Sequence, residues 1–377
     1  MKAVYVNKIS KYLPNRPITN DEMEQKLGII NGKVSKARRI VLRNNQIRTR
    51  YYAIDDDGNV THNNAQLTKE AVIALCSDDF KVEDIELLSC GTSSPDQLLP
   101  SHAAMVHGFL KNGNIEIHSP SGACCSGMNA FKYGYLSVKS GQTNNAVCTG
   151  SERPSTWLNS ETYEDELKHL ESLEENPILA FNKDFLRWML SDGAGAFLLQ
   201  NEPKGDFPLR IEWMEGYSYA YELEPCMYAG GDKLDDGFLK PWSEYSSNQW
   251  SKQSLFALKQ DVKLLSENIL AKGVDSLKKA LAKHSLTPAD ISYYLPHISS
   301  YYFKESLFNE MVAQGVEIPW EKWFINLEKV GNIGAGSIYV MLEELVSSGS
   351  LKKGDTILLS VPESSRFSYA YALLTVC

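Results

Sequence analysis

The sequence contains no apolar run near the roughly twenty residues that a membrane span needs. Its opening stretch, Met1 to Ser10, alternates like a strand and lacks the long apolar core of a signal peptide, so a soluble chain is expected. Positive charge is also in deficit. A net charge of −9 over 377 residues argues against nucleic acid or an anionic membrane as the main partner. The seven cysteines are an odd number with one adjacent pair and no Cys-x-x-Cys spacing, which points to neither a disulfide framework nor a zinc site. That usage fits a reducing cytoplasm, and no metal or cofactor is expected. A complete dinucleotide fingerprint is missing as well. The glycines of Ser191-Asp-Gly-Ala-Gly-Ala-Phe-Leu-Leu199 are therefore read as allowing tight strand entry and close packing.

What is present is enough apolar residue, 43%, to bury a large core, in a length that suits two domains or one duplicated one. The most informative stretch is Ser119-Pro-Ser-Gly-Ala-Cys-Cys-Ser-Gly-Met-Asn-Ala-Phe131. An apolar run from Ile115 to His118 enters it like a strand, and Met128 to Val138 leaves it with helical spacing. A sharp strand-to-helix turn of small residues is the geometry of a nucleophile elbow. A thiol in the first turn of a helix faces unpaired N–H groups and the positive end of the helix dipole, which favour its thiolate. Cys125 is the candidate, with Cys124 its competitor and packing the alternative role for both.

Along the chain, Asn63 to Ser77 reads as an amphipathic helix, Asp84 to Thr92 as a buried strand, and Ser94 to Pro100 as the start of another helix. Asn144 to Gly150 is a further short strand, ending in Ser151, Glu152 and Arg153. Residues 154 to 182 are acidic and irregular, as expected of an inserted cap. Residues 205 to 254 are rich in aromatics, among them Trp213, Tyr228, Trp242 and Trp250, which suit an acyl pocket, a core or a subunit interface. Leu255 to Lys283 reads as one long amphipathic helix.

The two halves echo each other. Asp84-Ile-Glu-Leu-Leu-Ser-Cys-Gly-Thr-Ser-Ser94 matches Asp290-Ile-Ser-Tyr-Tyr-Leu-Pro-His-Ile-Ser-Ser300, each after a helix. The glycine-rich turn, helix, glycine stop and strand that begin at Ser121 have a counterpart from Gly331 through Val361. Strands alternating with helices imply parallel-rich sheets covered by helices. The expected domains are 1–204 and 205–377, two copies of one α/β unit, with Cys125 at a turn of the first and His297 and Asn332 at the matching turns of the second.

Ala123-Cys-Cys-Ser-Gly127 resembles the Ala-Cys-x-Gly turn of the β-ketoacyl-acyl-carrier-protein synthase III branch of the thiolase superfamily, where the nucleophile stands two residues before the glycine. That selects Cys125 over Cys124. Leu295-Pro-His-Ile-Ser299 resembles the family's Pro-His-Gln-Ala-Asn stretch, and Val330-Gly-Asn-Ile-Gly-Ala-Gly-Ser337 its Gly-Asn-Thr-Ser-Ala-Ser stretch. Ser191 stands where the family's Gly-Asp-Gly-Ala-Gly-Ala element has its first glycine. The resemblance implies a duplicated thiolase-like five-layer αβαβα sandwich, acyl-carrier-protein or coenzyme A thioesters as partners, and a homodimer that pairs through the strand at Asn144 to Gly150. It also implies that Cys125 holds an acyl group while His297 and Asn332 donate hydrogen bonds that stabilise an enolate. The basic segment Lys33 to Arg50, with Arg38, Arg39, Arg43, Arg48 and Arg50, is then a candidate docking patch for an acidic carrier, or a solvated charged face.

The chain departs from this pattern near its C-terminus, where Val361-Pro-Glu-Ser-Ser-Arg-Phe-Ser-Tyr369 replaces a glycine-rich turn, so Glu363 to Arg366 must reshape the wall beside the acyl oxyanion. This sequence, Cys-Cys-Ser-Gly-Met and Gly-Ser-Glu-Arg together look like the ketosynthase–cyclases of dialkylresorcinol and bacterial stilbene pathways. Such enzymes join a β-ketoacyl and an α,β-unsaturated acyl thioester and close a cyclohexane-1,3-dione ring. Glu152 is the candidate for the added base, with a structural carboxylate paired to Arg153 as its alternative role. Two other enzyme readings are a decarboxylative Claisen condensation of the synthase III type and a head-to-head condensation. The latter is disfavoured by Leu99 at the position of its carboxylate. A non-catalytic acyl-binding or chain-length partner is the reading from another class.

Overall fold

All eight residues from Asn145 to Glu152 are buried in a strand with no solvent face, which requires cover on both sides of its sheet. The computed structural model describes residues 2–29, 32, 35, 38–160 and 186–377. The main sheet has nine strands: β1 (Tyr5–Tyr12), β2 (Leu87–Gly91), β3 (Glu116–His118), β4 (Asn145–Glu152), β5 (Gly193–Gln200), β6 (Leu209–Ser218), β7 (Tyr293–Pro296), β8 (Thr356–Glu363) and β9 (Ser368–Val376). Its principal helices are α1 (Arg38–Asn45), α2 (Asn64–Ile73), α3 (His102–Leu110), α4 (Cys125–Ser140), α5 (Val262–Lys283), α6 (Tyr302–Ala313) and α7 (Ser337–Ser347).

The strand order is β7-β8-β9-β6-β1-β5-β4-β2-β3. In the first half β2 runs parallel to β4, β4 antiparallel to β5, and β5 antiparallel to β1. The second half repeats the pattern, with β7 parallel to β8, β8 antiparallel to β9, and β9 antiparallel to β6. Even the turns into β2 and β7 match. The N–H of Lys81 donates to the Asp84 carboxylate at 2.8 Å, and that of Thr287 to the Asp290 carboxylate at 2.7 Å.

In the main sheet β1 of the first half meets β6 of the second at two register pairs, Tyr5 with Arg210 and Val6 with Leu209. Helices α4 and α7 lie between the halves. Helix α4 packs on β2, β4 and β5 and also on β8 and β9, and α7 packs on β1, β5 and β7. Their apolar residues form one core with both halves, including Met128, Phe131, Phe197, Tyr339, Leu359 and Ala372. Helices α2 and α3 cover the outer face of the first half, and α5 and α6 that of the second. The result is the five-layer αβαβα sandwich. The boundary expected at 204/205 falls in the connection between β5 and β6.

Local chemistry moves some element starts. Asp261 caps α5 by accepting the Leu264 N–H at 3.0 Å, and Lys259–Gln260 pair with Met227–Tyr228, so the helix expected from Leu255 begins seven residues later. The stretch from Ser94 to Pro100 is not helical. Its prolines break the pattern, and α3 starts after Ser101, which accepts the Ala104 N–H. Strand β4, through which a homodimer was expected to pair, has no free side in the sheet. It is paired on both sides by β2 and β5, and the edge of the first half is β3. The cap expected at 154–182 lies from residue 161 onward outside the described residues. No helix among the described residues is long and apolar enough to cross a membrane.

Candidate active site

The turn into α4 is built from backbone fitted against backbone. A Cβ added at Gly91 would overlap the Ser126 carbonyl, and one at Gly127 or Gly150 would overlap the Ala335 carbonyl. Only hydrogen at these positions lets β2, β4 and the turn before α7 close on the start of α4. The Tyr339 hydroxyl then locks the contact by donating to the Gly127 carbonyl at 2.8 Å.

A cavity of about 570 Å³ opens beside this turn, between the halves. Cys124, Glu152, His297 and Asn332 all line it. Its apolar wall comes mostly from the second half, with Leu258, Ile269, Val274, Leu277, Phe303 and Leu307. Of the aromatic-rich stretch, Tyr228 and Trp242 reach the cavity, whereas Trp213 is buried in the second half's outer core and stacked on His284.

The side chain that lines this cavity at the elbow is that of Cys124, not the expected Cys125. The Cys125 thiol donates to the Val361 carbonyl at 3.3 Å, is only 4% exposed, and borders a separate cavity of about 240 Å³. Helix geometry gives the reason. Cys124 is the last residue before α4 and Cys125 its first, and one residue turns a helical side chain by roughly 100°. Burial raises both thiols above their ordinary range, and the charge of Glu363 raises them further.

Glu363 itself is the largest surprise of the site. The N–H groups of Ala123 and Cys125 donate to its Oε2 at 3.0 and 2.9 Å, and the Ser365 hydroxyl donates to its Oε1. The sequence showed only that a glycine wall was replaced. It gave no sign that a carboxylate would cap helix α4.

His297 follows the end of β7, with its N–H on the Ser360 carbonyl at 2.8 Å. Burial pushes its imidazole down to about 4, so the ring is neutral near pH 7 and carries one N–H donor. Asn332 is held by two backbone bonds to the Met189–Ser191 segment, Ser191 N–H to Asn332 O at 2.8 Å and Asn332 N–H to Met189 O at 2.9 Å. Its Oδ1 accepts the Gly334 N–H at 2.8 Å, which leaves the Nδ2 group as donor. The Ser191 segment thus has a task that its glycines alone did not reveal.

Glu152, at the end of β4, accepts from the Ser93 N–H at 2.9 Å, the Ser93 hydroxyl at 2.8 Å and the Ser94 hydroxyl at 2.6 Å, and more weakly from the Ala335 N–H at 3.3 Å. Burial raises its carboxyl pKa against the opposing pull of these donors. Arg153 does not pair with it. That guanidinium lies 3.8 Å from Asp96 and donates to the His62 carbonyl at 3.1 Å.

The basic segment is divided. Arg50 is buried and donates to Asn20 and to the Trp188 carbonyl, Arg38 pairs with Asp21 and Glu24, and Arg48 with Glu328. Arg39 and Arg43 are exposed. Leu98 reaches the cavity, whereas Leu99 is 85% exposed. Among the described residues no group of three or more His, Cys, Asp or Glu is placed to hold a metal ion.

Residues 281–362 match the family model 3-oxoacyl-[acyl-carrier-protein] synthase III C terminal, a span that includes His297 and Asn332. The β-ketoacyl-[acyl-carrier-protein] synthase III 1 of Deinococcus radiodurans is 25% identical over 96% of this chain and 90% of its own. That of Aquifex aeolicus is 25% identical over 93% of this chain and 92% of its own. Among solved structures, the tetronic acid condensing enzyme AbyA1 superposes with a TM-score of 0.77 at 19% identity, covering 99% of both chains. OleA of Xanthomonas campestris superposes with a TM-score of 0.74 at 18% identity, over 99% of this chain and 98% of its own. At such identities these two structures speak for the fold.

Proposed function

Because this chain is a relative of the β-ketoacyl-acyl-carrier-protein synthase III enzymes, an acyl-condensing class, we propose that it joins two acyl thioesters through a cysteine-bound acyl intermediate and closes the product into a cyclohexane-1,3-dione ring. One observation carries the reading: a thiol, a neutral imidazole, an amide donor and a buried carboxylate share one apolar cavity. Cys124 attacks the first thioester and keeps its acyl group, while the carrier leaves as a thiol. The ring N–H of His297 and the Nδ2 group of Asn332 hold the carbonyl oxygen of the second thioester. Enolate charge develops on that oxygen as the neighbouring carbon loses a proton or carbon dioxide, and it is consumed as that carbon bonds to the acyl carbon and the bond from that carbon to the Cys124 sulfur breaks, the sulfur taking up a proton. Glu152, whose burial favours accepting a proton, serves the transfers that ring closure adds. The substrates are a β-ketoacyl and an α,β-unsaturated acyl thioester of coenzyme A or an acyl carrier protein.

A simpler decarboxylative Claisen condensation without a ring is the second reading, favoured by the synthases III among the relatives. Incubation with paired β-ketoacyl and enoyl N-acetylcysteamine thioesters separates the two, since a cyclic dione supports ring closure and a linear β-ketoacyl product alone supports the simpler enzyme. Intact mass measurement identifies the thiol. Wild type and Cys125→Ala are expected to gain one acyl group and Cys124→Ala none, and the reverse pattern would return the role to Cys125, where the family spacing puts it. A wild type that takes no acyl group from any thioester would leave a binding protein.

A further inference from the structure

The N–H groups of Ala123 and Cys125 flank Cys124 and converge on one point, and that point is already filled by Glu363 Oε2 at 3.0 and 2.9 Å. Several features show that the carboxylate is seated there rather than merely nearby. Gly122 has φ +149°, a conformation that favours glycine, in the turn just ahead of the two N–H groups. The Ser365 hydroxyl fixes the second oxygen. Glu363 is 7% exposed, and no lysine or arginine among the described residues forms an ion pair with it. Its charge is met instead by the N-terminus of the sixteen-residue helix α4.

Two N–H groups converging beside a nucleophilic thiol are what a tetrahedral acyl-transfer intermediate needs for its negative oxygen. A carboxylate and that oxygen cannot share the same pair of donors. We infer that Glu363 is a placeholder in the resting enzyme: the thioester oxygen enters the Ala123 and Cys125 N–H pair only as the Glu363 carboxylate leaves it. The inference rests on the acyl-transfer reading above. The exchange changes no oxidation state. The Cys124 S–H bond is replaced by a bond from sulfur to the acyl carbon, the bond from that carbon to the carrier's sulfur breaks, and the carrier's sulfur takes the proton. Glu363 stands on the last rung of the β8–β9 ladder, paired with Ser368, so its side chain can swing out without opening the sheet.

The seated carboxylate also has an electrostatic consequence. Glu363 and Glu152 are the charged groups that raise the Cys124 thiol, and the neutral His297 adds no opposing charge. Resting Cys124 is therefore held as a thiol.

Glu363→Ala and Glu363→Gln test the inference because they separate occupancy from charge. Both remove the negative charge, but the glutamine carbonyl can still fill the N–H pair. Two readouts are needed: the pH profile of iodoacetamide alkylation at Cys124, mapped by fragmentation mass spectrometry, and single-turnover acylation by an N-acetylcysteamine thioester. Both variants are expected to shift the alkylation profile about one unit to lower pH, about tenfold in thiolate at a fixed pH. Only Glu363→Ala is expected to acylate faster than wild type at equal thiolate fraction. An unmoved alkylation profile in both variants, or acylation in a folded Glu363→Ala slower than wild type, would overturn the inference. If the alanine variant does not fold, Ser365→Ala takes its place in the acylation test, because freeing Oε1 loosens the same carboxylate; faster acylation supports the inference and unchanged acylation overturns it. The alkylation profile needs no substrate, so it remains readable even if no thioester acylates the wild type.

Discussion

The carboxylate of Glu152, at the end of β4, accepts the backbone N–H of Ala335 at 3.3 Å, tying the first half of the chain to the turn that carries Asn332 in the second. The same carboxylate is also the candidate base, so its position and its chemistry are coupled.

Glu152→Gln keeps the shape and removes the base. Acylation of the cavity thiol should persist, while the cyclic product should fall about 100-fold or more. Product analysis by liquid chromatography and mass spectrometry, alongside intact mass, checks both. Undiminished ring formation would leave Glu152 as a structural brace only.

Asn332→Ala removes the Nδ2 donor and also strips Gly334 N–H of its acceptor. Condensation should drop about 100-fold. Acylation should change little, because the N–H groups beside Cys124 belong to the other half. Comparing burst amplitude with turnover distinguishes the two steps.

His297 makes a prediction about pH and stability. Its folded pKa, about 4, lies below the ordinary value of 6.5, so between those limits the unfolded chain binds more protons and stability rises with pH. The contribution, about 3 kcal/mol, is fully present above pH 6.5 and is lost as pH falls toward 4. Burial raises Asp192 to about 6, which gives the opposite slope over part of this range. The wild type should therefore be compared with His297→Asn by urea unfolding at pH 4.5 and pH 7. The wild type should lose more stability than the variant on acidification, and equal losses would contradict the buried neutral ring.

The edge strand β3 leaves Ile117 39% exposed, and beside it on α4 Tyr133 and Leu136 are 36% and 50% exposed. His118 and Tyr133 stack at 3.9 Å, which joins strand and helix into one surface. An edge strand with no second partner among the described residues, next to apolar side chains, is a liability that a second copy would cover. Sedimentation should give a dimer for the wild type and a monomer for Ile117→Lys with Leu136→Glu. A wild-type monomer at micromolar concentration would end this reading.

Much of this architecture was legible because it is written locally. Apolar runs located β2, β4 and β5, and the repeated Asp-Ile openings of two strands announced the duplication that the sheet repeats. His297, Asn332 and Glu152, which line one cavity, could be picked out locally because each stands at a strand end or in a glycine turn. What was hidden depends on long-range placement or on angle. Strand order is not encoded next to a strand, so nothing local showed that β4, the strand expected to pair two copies, has a neighbour on both sides. Which of Cys124 and Cys125 lines the main cavity turns on where α4 takes its first step, and spacing to a glycine does not supply that. Glu363 meets Cys125 from 238 residues away, and Arg50 is buried by contacts that its basic neighbourhood did not foretell.

The close approach of Gly91, Gly127, Gly150 and Ala335 has one more consequence. The thiol-bearing turn is positioned by main chain, whereas most of the cavity's apolar wall consists of replaceable side chains from the second half, many on α5 and α6. Acyl-chain preference can therefore drift through point substitutions in that wall without displacing the reacting groups, so lineages sharing this chemistry can diverge in substrate size.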